Sequence, residues 1–434
     1  MNYNEKTILD LGQKEIYLPS PKVRQKDRTG VHSWSKFYSA FSESFAIASL
    51  SGLRRNVADV VLDPFLGSGT SAVAALKCGN PFIGVDIDPF SVLLSRAKIA
   101  TGADIDKVVT LLTKPVEVEL CQSFCKETSI LFSLKDLIYA QQVFVNISRD
   151  MERDKDSCWE MILNAPTKSF DDHAVALAAM VIAAQSSCKI AIGSNPVWKR
   201  IPVPGEIIRV LPLKQQAIHN AQKMCQDLSS SDKQRHSRAQ LFKTCDARSL
   251  DIPDNSVDFV LTSPPYLNRL DYVVDHLPAL TLLSGFVDIN IDRLRRQMIG
   301  TTKINEKNGK IDKSWGRSCA EVLSAIKQHK SKASDSYYYW TYYQYFKDMY
   351  TILTELERKC KKGALGLFVL QNSYYKEIDI PTSKIICEMA RNIGFKSKVI
   401  RCEDVRTHLG TLNPNLKKNA PNKQLTEKVI RFAF

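Results

Sequence analysis

The sequence contains no Cys-x-x-Cys pair and no long apolar run. Its 11 cysteines are scattered singly and no Cys and His cluster has the spacing of a zinc site, so we expect no metal. The longest apolar run, AVALAAMVIAA at 174–184, is too short to span a bilayer. The polar N-terminus, MNYNEKTILDLGQKE, lacks the apolar core of a signal peptide. These absences predict a reduced, cytoplasmic protein with no membrane partner.

Acidic side chains are in the minority. The 434 residues include 60 Lys and Arg against 46 Asp and Glu, which gives a formal net charge of +14. This excess favours a polyanionic partner, either nucleic acid or an acidic membrane surface, although a solvated basic surface would have the same composition. The length is compatible with one large domain or two ordinary domains.

The glycine-rich segment DPFLGSGT, at 63–70, lacks the features of two familiar nucleotide motifs. No Gly-Lys-Ser/Thr follows the glycines, which excludes a P-loop, and the third glycine of the GxGxxG dinucleotide motif is missing. The segment nevertheless stands between a predicted strand and a predicted helix. Because Gly67 and Gly69 have no Cβ, they allow a tight turn and the close approach of a ligand to the backbone.

Strand and helix signals alternate in two parts of the chain. DVVLDPF, SAVAALKCG and PFIGVDID, followed by another helical segment, form a β-α-β-α unit that predicts a parallel sheet. We predict one catalytic domain at 31–100 and 241–434, preceded by a basic N-terminal arm at 1–30. A mostly helical insertion at 101–240 and a second insertion at 268–340 interrupt this domain, and each is too long for a plain loop.

Asp86 stands at the end of the second predicted strand, in GVDID. A carboxylate at that position can accept hydrogen bonds from both hydroxyls of a ribose. The alternative role is a helix N-cap, for which Asp88 is better placed because Pro89 begins the next helix. We therefore predict a ribose-binding role for Asp86.

The segment TSPPY, at 262–266, ends another predicted buried strand, NSVDFV. Its two prolines restrict φ and the residue before them, so the hydroxyl of Ser263 and the carbonyl of Pro264 would be held rigidly. Tyr266 then adds an aromatic face on which a planar ligand can stack. The alternative is that the segment serves only as a rigid turn at the end of a strand.

Together, DPFLGSGT, GVDID, CDARSL and TSPPY resemble the motif series of S-adenosylmethionine-dependent DNA amino-methyltransferases. These enzymes methylate the exocyclic nitrogen of adenine or cytosine. The resemblance implies an α/β fold with a Rossmann-like seven-stranded sheet, and S-adenosyl-L-methionine as the cofactor. The positions that match the cofactor-binding motifs are Asp63, Phe65, Gly67, Gly69, Thr70, Asp86 and Asp246.

The segment HSWSKFYSAFSESF is similar to the family's helix that covers the cofactor, usually with an aromatic residue. We predict a helix at 35–53, with Phe37 and Phe41 as the candidate aromatics. The alternative is that both are ordinary core residues of that helix.

The resemblance implies that Ser263, Pro264, Pro265 and Tyr266 are the catalytic motif. The target base leaves the duplex, stacks on Tyr266, and donates hydrogen bonds from its amino group to Ser263 and Pro264. Ser at the first position is typical of cytosine-N4 enzymes, so we predict cytosine-N4 methylation of double-stranded DNA. Adenine-N6 methylation is the alternative, followed by an RNA base-amino methyltransferase and a non-enzymatic DNA-binding subunit. Cytosine-C5 chemistry is rejected because no cysteine has the required context.

Basic and aromatic residues in both insertions are the predicted DNA contacts. The larger insertion, 101–240, is our candidate target-recognition lobe, with 268–340 as a contributor. Their Lys and Arg side chains would neutralise phosphates, although each basic segment alone could be a solvated surface. The resemblance also implies a restriction-modification system, with a cognate restriction endonuclease as a further candidate partner. The individual candidates are Trp198, Lys199, Arg200, Arg293, Arg295 and Arg296.

Overall fold

The structure is a computed structural model of the 434-residue chain. The residues that it describes are 7–10, 15–35, 37, 40–54, 56–119, 124–164, 168–190, 200–209, 211–230, 240–267, 270–304, 307–405 and 425–434.

The strands form one large sheet and three two-stranded sheets. In chain order they are β1 (Thr7–Asp10), β2 (Glu15–Leu18), β3 (Val61–Asp63), β4 (Phe82–Asp86), β5 (Cys188–Ile190), β6 (Ile207–Arg209), β7 (Gln240–Thr244), β8 (Val257–Thr262), β9 (Cys360–Gln371), β10 (Ser373–Tyr375), β11 (Ile378–Ile380), β12 (Lys396–Val405) and β13 (Leu425–Ala433). The large sheet has the order β12-β13-β9-β8-β3-β4-β7, in which only β13 runs antiparallel to its neighbours. The prediction of a Rossmann-like seven-stranded sheet is therefore confirmed.

Helices cover both faces of this sheet and form most of the larger insertion. They are α1 (Glu43–Leu53), α2 (Thr70–Cys78), α3 (Pro89–Lys98), α4 (Ile105–Thr113), α5 (Thr128–Leu131), α6 (Leu134–Asp150), α7 (Lys155–Asn164), α8 (Asp171–Ser187), α9 (Leu213–Ser230), α10 (Tyr272–Asp275), α11 (Leu277–Leu283), α12 (Ile291–Gln297), α13 (Arg317–Gln328), α14 (Tyr339–Lys359) and α15 (Thr382–Ile393). None of the helices within the described ranges is both long enough and apolar enough to cross a membrane.

Two proline-containing turns leave the middle of the sheet side by side. Strand β3 is a short buried strand that ends before Pro64, and β8 ends before Ser263. The two strands are parallel neighbours, with Val61 opposite Phe259 and Leu62 opposite Val260. Their carboxyl ends therefore meet at the same edge of the sheet, which is where open α/β sheets bind ligands.

The larger insertion packs onto helix α3. Every residue of α3 is buried, and so is the whole apolar run 174–184 of α8. Arg96 of α3 and Asp171 of α8 form an ion pair at 2.9 Å in which each side chain is only 1% exposed. The Arg96 nitrogen lies close to the Asp171 oxygen without hydrogen-bond geometry, so this contact is an attraction of opposite charges.

Asp171 also accepts hydrogen bonds from the backbone. The amides of Thr101 and Gly102 donate to its Oδ2 at 2.7 and 3.0 Å. One carboxylate thus connects the end of α3, the start of the insertion and the start of α8.

Two local predictions about the N-terminal part of the chain are wrong. The predicted helix at 35–53 begins only at Glu43, where the Ser42 hydroxyl accepts a hydrogen bond from the Phe45 amide and caps it. Within the described residues, the predicted arm at 1–30 does not extend freely into solvent. Leu18 is fully buried, and its carbonyl accepts a hydrogen bond from Arg401 of β12 at 2.8 Å. Apolar side chains within the basic segment explain this packing.

The tyrosine-rich run before β9 is helical. A π-helical turn at Ser334–Tyr338 leads directly into α14. Tyr339, Tyr342 and Tyr345 of α14 are each less than 5% exposed and lie in the core on one side of the sheet. This tyrosine-rich run therefore packs in a helical core.

Replacing Asp171 with Ala should lower the free energy of unfolding by about 3–5 kcal/mol, because Arg96 would stay buried without its counter-charge. Urea unfolding followed by circular dichroism measures this. The exposed i,i+4 pair of Asp292 and Arg296 supplies the control, and Asp292→Ala should cost less than about 1 kcal/mol. Equal losses of unfolding free energy in Asp171→Ala and Asp292→Ala would contradict the importance of the buried pair.

Candidate active site

A cleft of about 670 Å³ opens at the carboxyl ends of β3, β4, β7 and β8. Most of the wall is apolar, with a few carboxylates and one histidine. The lining residues are Phe37, Pro64, Phe65, Gly67, Asp86, Ile87, Asp88, Ser91, Asp246, Ala247, Ser263, Pro265, Tyr272, His276, Gln297, Met298 and Ile299.

The two glycines of DPFLGSGT have different structural roles. Both have positive φ, +47° at Gly67 and +75° at Gly69. A Cβ on Gly67 would lie between the Phe65 carbonyl and the Phe37 ring, at 3.7 and 3.8 Å, and Gly67 lines the cleft. A Cβ on Gly69 would instead lie 2.4 Å from the Ser95 Oγ and 2.9 Å from its Cα. Gly67 therefore leaves room in the cleft, whereas Gly69 allows α2 and α3 to pack.

Asp63 lies beneath the cleft and does not line it. Its side chain is 2% exposed and accepts hydrogen bonds from Thr262 Oγ1 at 2.6 Å, from Ser71 Oγ at 2.5 Å and from the Phe65 amide at 3.1 Å. Burial raises the pKa of Asp63 to about 6 although these donors oppose the shift. These three donors hold the Asp63 carboxylate from within the protein, and the cofactor contact that the sequence predicts for Asp63 stays a prediction.

Asp86 lines the cleft as predicted. Its carboxylate accepts hydrogen bonds from the amides of Gly67 at 2.8 Å and Asp88 at 3.0 Å, so the glycine turn fixes its orientation. Burial, together with the negative charge of Asp88, raises the pKa of Asp86 to about 7. A carboxylate with this environment is held rigidly at the cleft wall.

His276 is a cleft residue that the sequence analysis did not select. Its Nδ1 lies 2.6 Å from Asp88 Oδ2, and its ring packs against Phe37 and Phe90 with centroid distances of 4.9 and 5.0 Å. Burial works against protonation, but the charge and hydrogen bond of Asp88 raise the pKa of His276. No sequence motif contains this histidine, and only the fold brings the segment after TSPPY against β4.

Asp88 has the capping role that the sequence analysis assigned to it. Its carboxylate accepts from the Phe90 amide at 2.9 Å and caps helix α3. The same carboxylate contacts His276, so it also joins α3 to the second insertion.

Asp246 lines the cleft, but Arg248 holds its carboxylate. Arg248 donates to both Asp246 oxygens, at 3.0 and 2.6 Å, and also binds Asp348 and the carbonyl of Gln297. The loop after β7 is thereby joined to α12 and α14. The sequence did not indicate Arg248, since its partners lie 49 and 100 residues further along the chain.

The TSPPY turn is held by neighbouring elements. The Ser263 hydroxyl donates to the Val369 carbonyl at 3.1 Å, and the Tyr345 hydroxyl donates to the Pro265 carbonyl at 3.1 Å. Ser263 and Pro265 line the cleft, whereas Pro264 and Tyr266 do not. Tyr266 is 7% exposed, and its hydroxyl donates to Glu427 at 2.7 Å. The stacking role of Tyr266 stays a prediction.

The remaining predicted cofactor residues lie around a second, smaller cleft of about 400 Å³ beside the glycine turn. Phe37 lines both clefts. Phe41 is 5% exposed, packs against Phe45, and reaches only the second cleft. Thr70 begins α2 and lines the second cleft together with Lys98. Phe41 is thus mainly a core residue, as the alternative interpretation held.

The predicted DNA contacts are dispersed. Trp198 and Lys199 lie outside the described residues. Arg200 is paired with Glu206, Arg295 with Asp271 at 2.7 Å and Arg296 with Asp292 at 2.8 Å, while Arg293 is exposed. Residues 268–340 supply five cleft-lining side chains, whereas no lining residue comes from the described part of 101–240. The assignment of either insertion to DNA recognition stays a prediction.

The main cleft fits S-adenosylmethionine. Asp86 supplies an oriented carboxylate for a ribose diol, and Phe65, Ile87 and Met298 are among the apolar side chains that could enclose a planar base. Gly67 leaves space where any other residue would place a Cβ. Within the described ranges, no group of three or more His, Cys, Asp or Glu side chains is arranged to hold a metal ion.

Comparison with known proteins finds one matching family model and several similar methyltransferases, and these results agree with one another. The family model described as DNA methylase matches residues 50–96, from α1 through the glycine turn to α3. The type II methyltransferase M.BsoBI of Geobacillus stearothermophilus is 24% identical over 414 residues, which cover 84% of this chain and 79% of that protein. Most of the chain, including both insertions, therefore has a counterpart in a relative.

Two further relatives match shorter parts. M.MjaII of Methanocaldococcus jannaschii is 38% identical over 98 residues, which are 22% of this chain and 17% of that protein. M.AvaI of Nostoc is 29% identical over 163 residues, about a third of each chain. Enzymes of this kind use S-adenosyl-L-methionine as the methyl donor. The chain is thus similar to type II DNA methyltransferases, and the sheet order and the cleft agree with the DNA methylase model that matches residues 50–96.

Proposed function

We propose that this DNA methyltransferase transfers a methyl group from S-adenosylmethionine to the N4 amino group of a flipped-out cytosine in double-stranded DNA. The observation that most supports cytosine-N4 specificity is the hydroxyl of Ser263 at the cleft wall. A serine opens the motif in this chain, and serine at that position is typical of the cytosine-N4 enzymes that the chain resembles.

The hydrogen bonding of Ser263 suits an amino group. Its hydroxyl proton is donated to the Val369 carbonyl, so the oxygen presents lone pairs to the cleft. The exocyclic amino group of cytosine is a donor and would complement these lone pairs. The Pro264 carbonyl, held by the prolines, would be the second acceptor. Two such bonds would orient the nitrogen lone pair, and positioning of this kind contributes several kcal/mol to a transfer reaction, roughly 7 kcal/mol or more in well-oriented cases.

The cleft residues would hold the cofactor on the other side of the target nitrogen. Bound there, S-adenosylmethionine supplies an electrophilic methyl group on a sulfonium. Asp86 would accept the ribose hydroxyls, Gly67 would allow close approach of the backbone, and Phe37 and Phe65 would enclose the cofactor. Asp246 would be oriented for the adenine amino group by Arg248.

The biological setting that we propose is a restriction-modification system. The relatives M.BsoBI, M.MjaII and M.AvaI are named type II methyltransferases. A type II role implies a specific DNA site and a cognate restriction endonuclease that cuts the same site. The net charge of +14 supports binding to a polyanion.

The product nucleoside tests the proposed base. Purified protein is incubated with methyl-labelled cofactor and unmodified genomic DNA or total RNA, and the digested nucleosides are separated by mass spectrometry. We expect N4-methylcytosine from DNA, and Ser263→Ala should lower the rate by about 10–100-fold because one amino-group acceptor is lost. N6-methyladenine would overturn the base assignment, and label only in RNA would overturn the DNA assignment. The exposed Ser249→Ala variant serves as the control.

The two glycines of the turn should respond differently to substitution. Gly69→Ala should destabilise the fold by about 2–5 kcal/mol, because its Cβ overlaps Ser95 at positive φ. Gly67→Ala should cost only about 1–2 kcal/mol of stability but should weaken cofactor binding, because its Cβ enters the cleft. Thermal unfolding measures the first effect and isothermal titration calorimetry the second. Unchanged cofactor affinity in Gly67→Ala would exclude the cleft as the cofactor site.

Cofactor affinity should depend on pH through Asp86. Its pKa of about 7 means that lowering the pH from 8 to 6 protonates the carboxylate, which then loses acceptor strength for the ribose. The dissociation constant for S-adenosylmethionine should rise by about tenfold over this range. Asp86→Asn should bind more weakly at pH 8 and show little of this dependence. If Asp86→Asn shows the same pH profile as the parent protein, the titrating group is not Asp86.

A further inference from the structure

A glutamate from the last strand holds the tyrosine of the TSPPY turn. The Tyr266 hydroxyl donates to Glu427 Oε1 at 2.7 Å, across 161 positions of sequence. Burial, together with the charge of Glu427, raises the pKa of Tyr266 well above its usual value. The phenol therefore keeps its proton and remains a donor to the carboxylate. Burial also raises the pKa of the Glu427 carboxyl, which the Tyr266 hydrogen bond opposes.

The other oxygen of Glu427 is unusual. Oε2 is buried and has no hydrogen-bond partner among the described residues. A buried carboxylate oxygen without a donor is costly, so its retention calls for an explanation. The charged groups that influence Glu427 are Glu403 of the neighbouring strand and Lys22 of the N-terminal segment. Glu403 carries charge of the same sign, and the Lys22 ammonium is bound to Glu403 at 3.4 Å.

Glu427 is the contact that controls the free end of the Tyr266 ring. The backbone of the turn is fixed on both sides of Tyr266, because the Pro265 carbonyl accepts from Tyr345 and the Leu267 carbonyl accepts from Ser373. These two backbone contacts define where the Cα of Tyr266 lies. The direction of the phenol ring depends on packing and on the hydroxyl, whose described acceptor is Glu427.

The position of Glu427 in the sheet makes this restraint rigid. Glu427 lies in β13 between two hydrogen-bonded neighbours, opposite Gln371 of β9 and Glu403 of β12. Strand β9 also supplies the Val369 carbonyl that accepts from Ser263. The same two adjacent strands thus orient both polar side chains of the TSPPY turn.

We propose that Glu427 is a positioning residue for methyl transfer, which fixes the Tyr266 ring in the orientation that receives the flipped base. This inference rests on the proposed role of the TSPPY turn in holding the base. Glu427 does not line the cofactor cleft, and its described side-chain hydrogen bond is to Tyr266, so we infer that it acts through Tyr266. Its loss should slow the transfer step and leave cofactor binding intact.

A double-mutant cycle isolates this role. The variants are Tyr266→Phe, Glu427→Leu, Glu427→Gln and the combination Tyr266→Phe with Glu427→Leu. The single-turnover rate is measured with saturating labelled S-adenosylmethionine on unmodified genomic DNA. Tyr266→Phe and Glu427→Leu should each lower the rate by about tenfold or more, since small misplacements of a reacting group are costly. The combined variant should be no slower than the slower single variant, because both changes remove the same hydrogen bond.

Conservative substitution and a matched control complete the design. Glu427→Gln keeps an acceptor oxygen for Tyr266 and should recover most of the rate lost in Glu427→Leu. Glu388 of α15 is a partly buried glutamate that likewise accepts from a hydroxyl, Ser318 Oγ at 2.6 Å, away from the cleft. Glu388→Gln should change the rate by less than about twofold. Cofactor dissociation constants from calorimetry should stay within about twofold of the parent for every variant.

Several results would overturn the inference. Losses that multiply in the combined variant would show that Glu427 acts independently of Tyr266. A parental rate in Tyr266→Phe, or weakened cofactor binding in Glu427→Gln, would also contradict it. If Glu427→Leu does not fold, the comparison of Tyr266→Phe, Glu427→Gln and their combination replaces it. If the product is N6-methyladenine and the two residues still couple, only the cytosine assignment is refuted.

Discussion

One buried carboxylate connects the two turns on which the site depends. Asp63 ends β3 and accepts hydrogen bonds from Thr262 at the end of β8, from Ser71 in α2 and from the amide of Phe65. The glycine turn and the TSPPY turn leave the sheet from these two strand ends. A side chain that bonds to both of them fixes the distance between the cofactor side and the base side of the cleft.

The cleft itself is completed by segments remote in sequence. His276, from the second insertion, bonds to Asp88, whose amide donates to Asp86. Arg248 joins Asp246 to Asp348 and to the carbonyl of Gln297. In each case a polar group of the second insertion or of α14 stabilises a loop at the end of a parallel strand. The second insertion is thus part of the cleft wall. The larger insertion instead packs over α3 and buries it.

Local patterns predicted much of this arrangement. The central strands β3, β4 and β8 were indicated by apolar segments, and Gly67, Asp86, Asp246 and Ser263, which the motifs single out, line the cleft. Other contacts could not be predicted from the motifs. Gly69 and Asp63 belong to the segment DPFLGSGT, yet they lie against Ser95 and Thr262, which only packing brings near. Likewise, apolar side chains within a basic segment anchored residues near Leu18, which composition alone had suggested were exposed.

The sequence by itself determined the class of fold and the chemistry, because glycine, proline and strand periodicity act through local backbone geometry. Those features placed two specific turns at the ends of two buried strands. Only the tertiary structure decided which side chains surround the turns. Glu427 and His276 lie in no motif, Arg248 lies in CDARSL without an assigned role, and their partners are 161, 188 and up to 100 residues away. Contacts at such separations arise from the order of strands in the sheet, which no local pattern specifies.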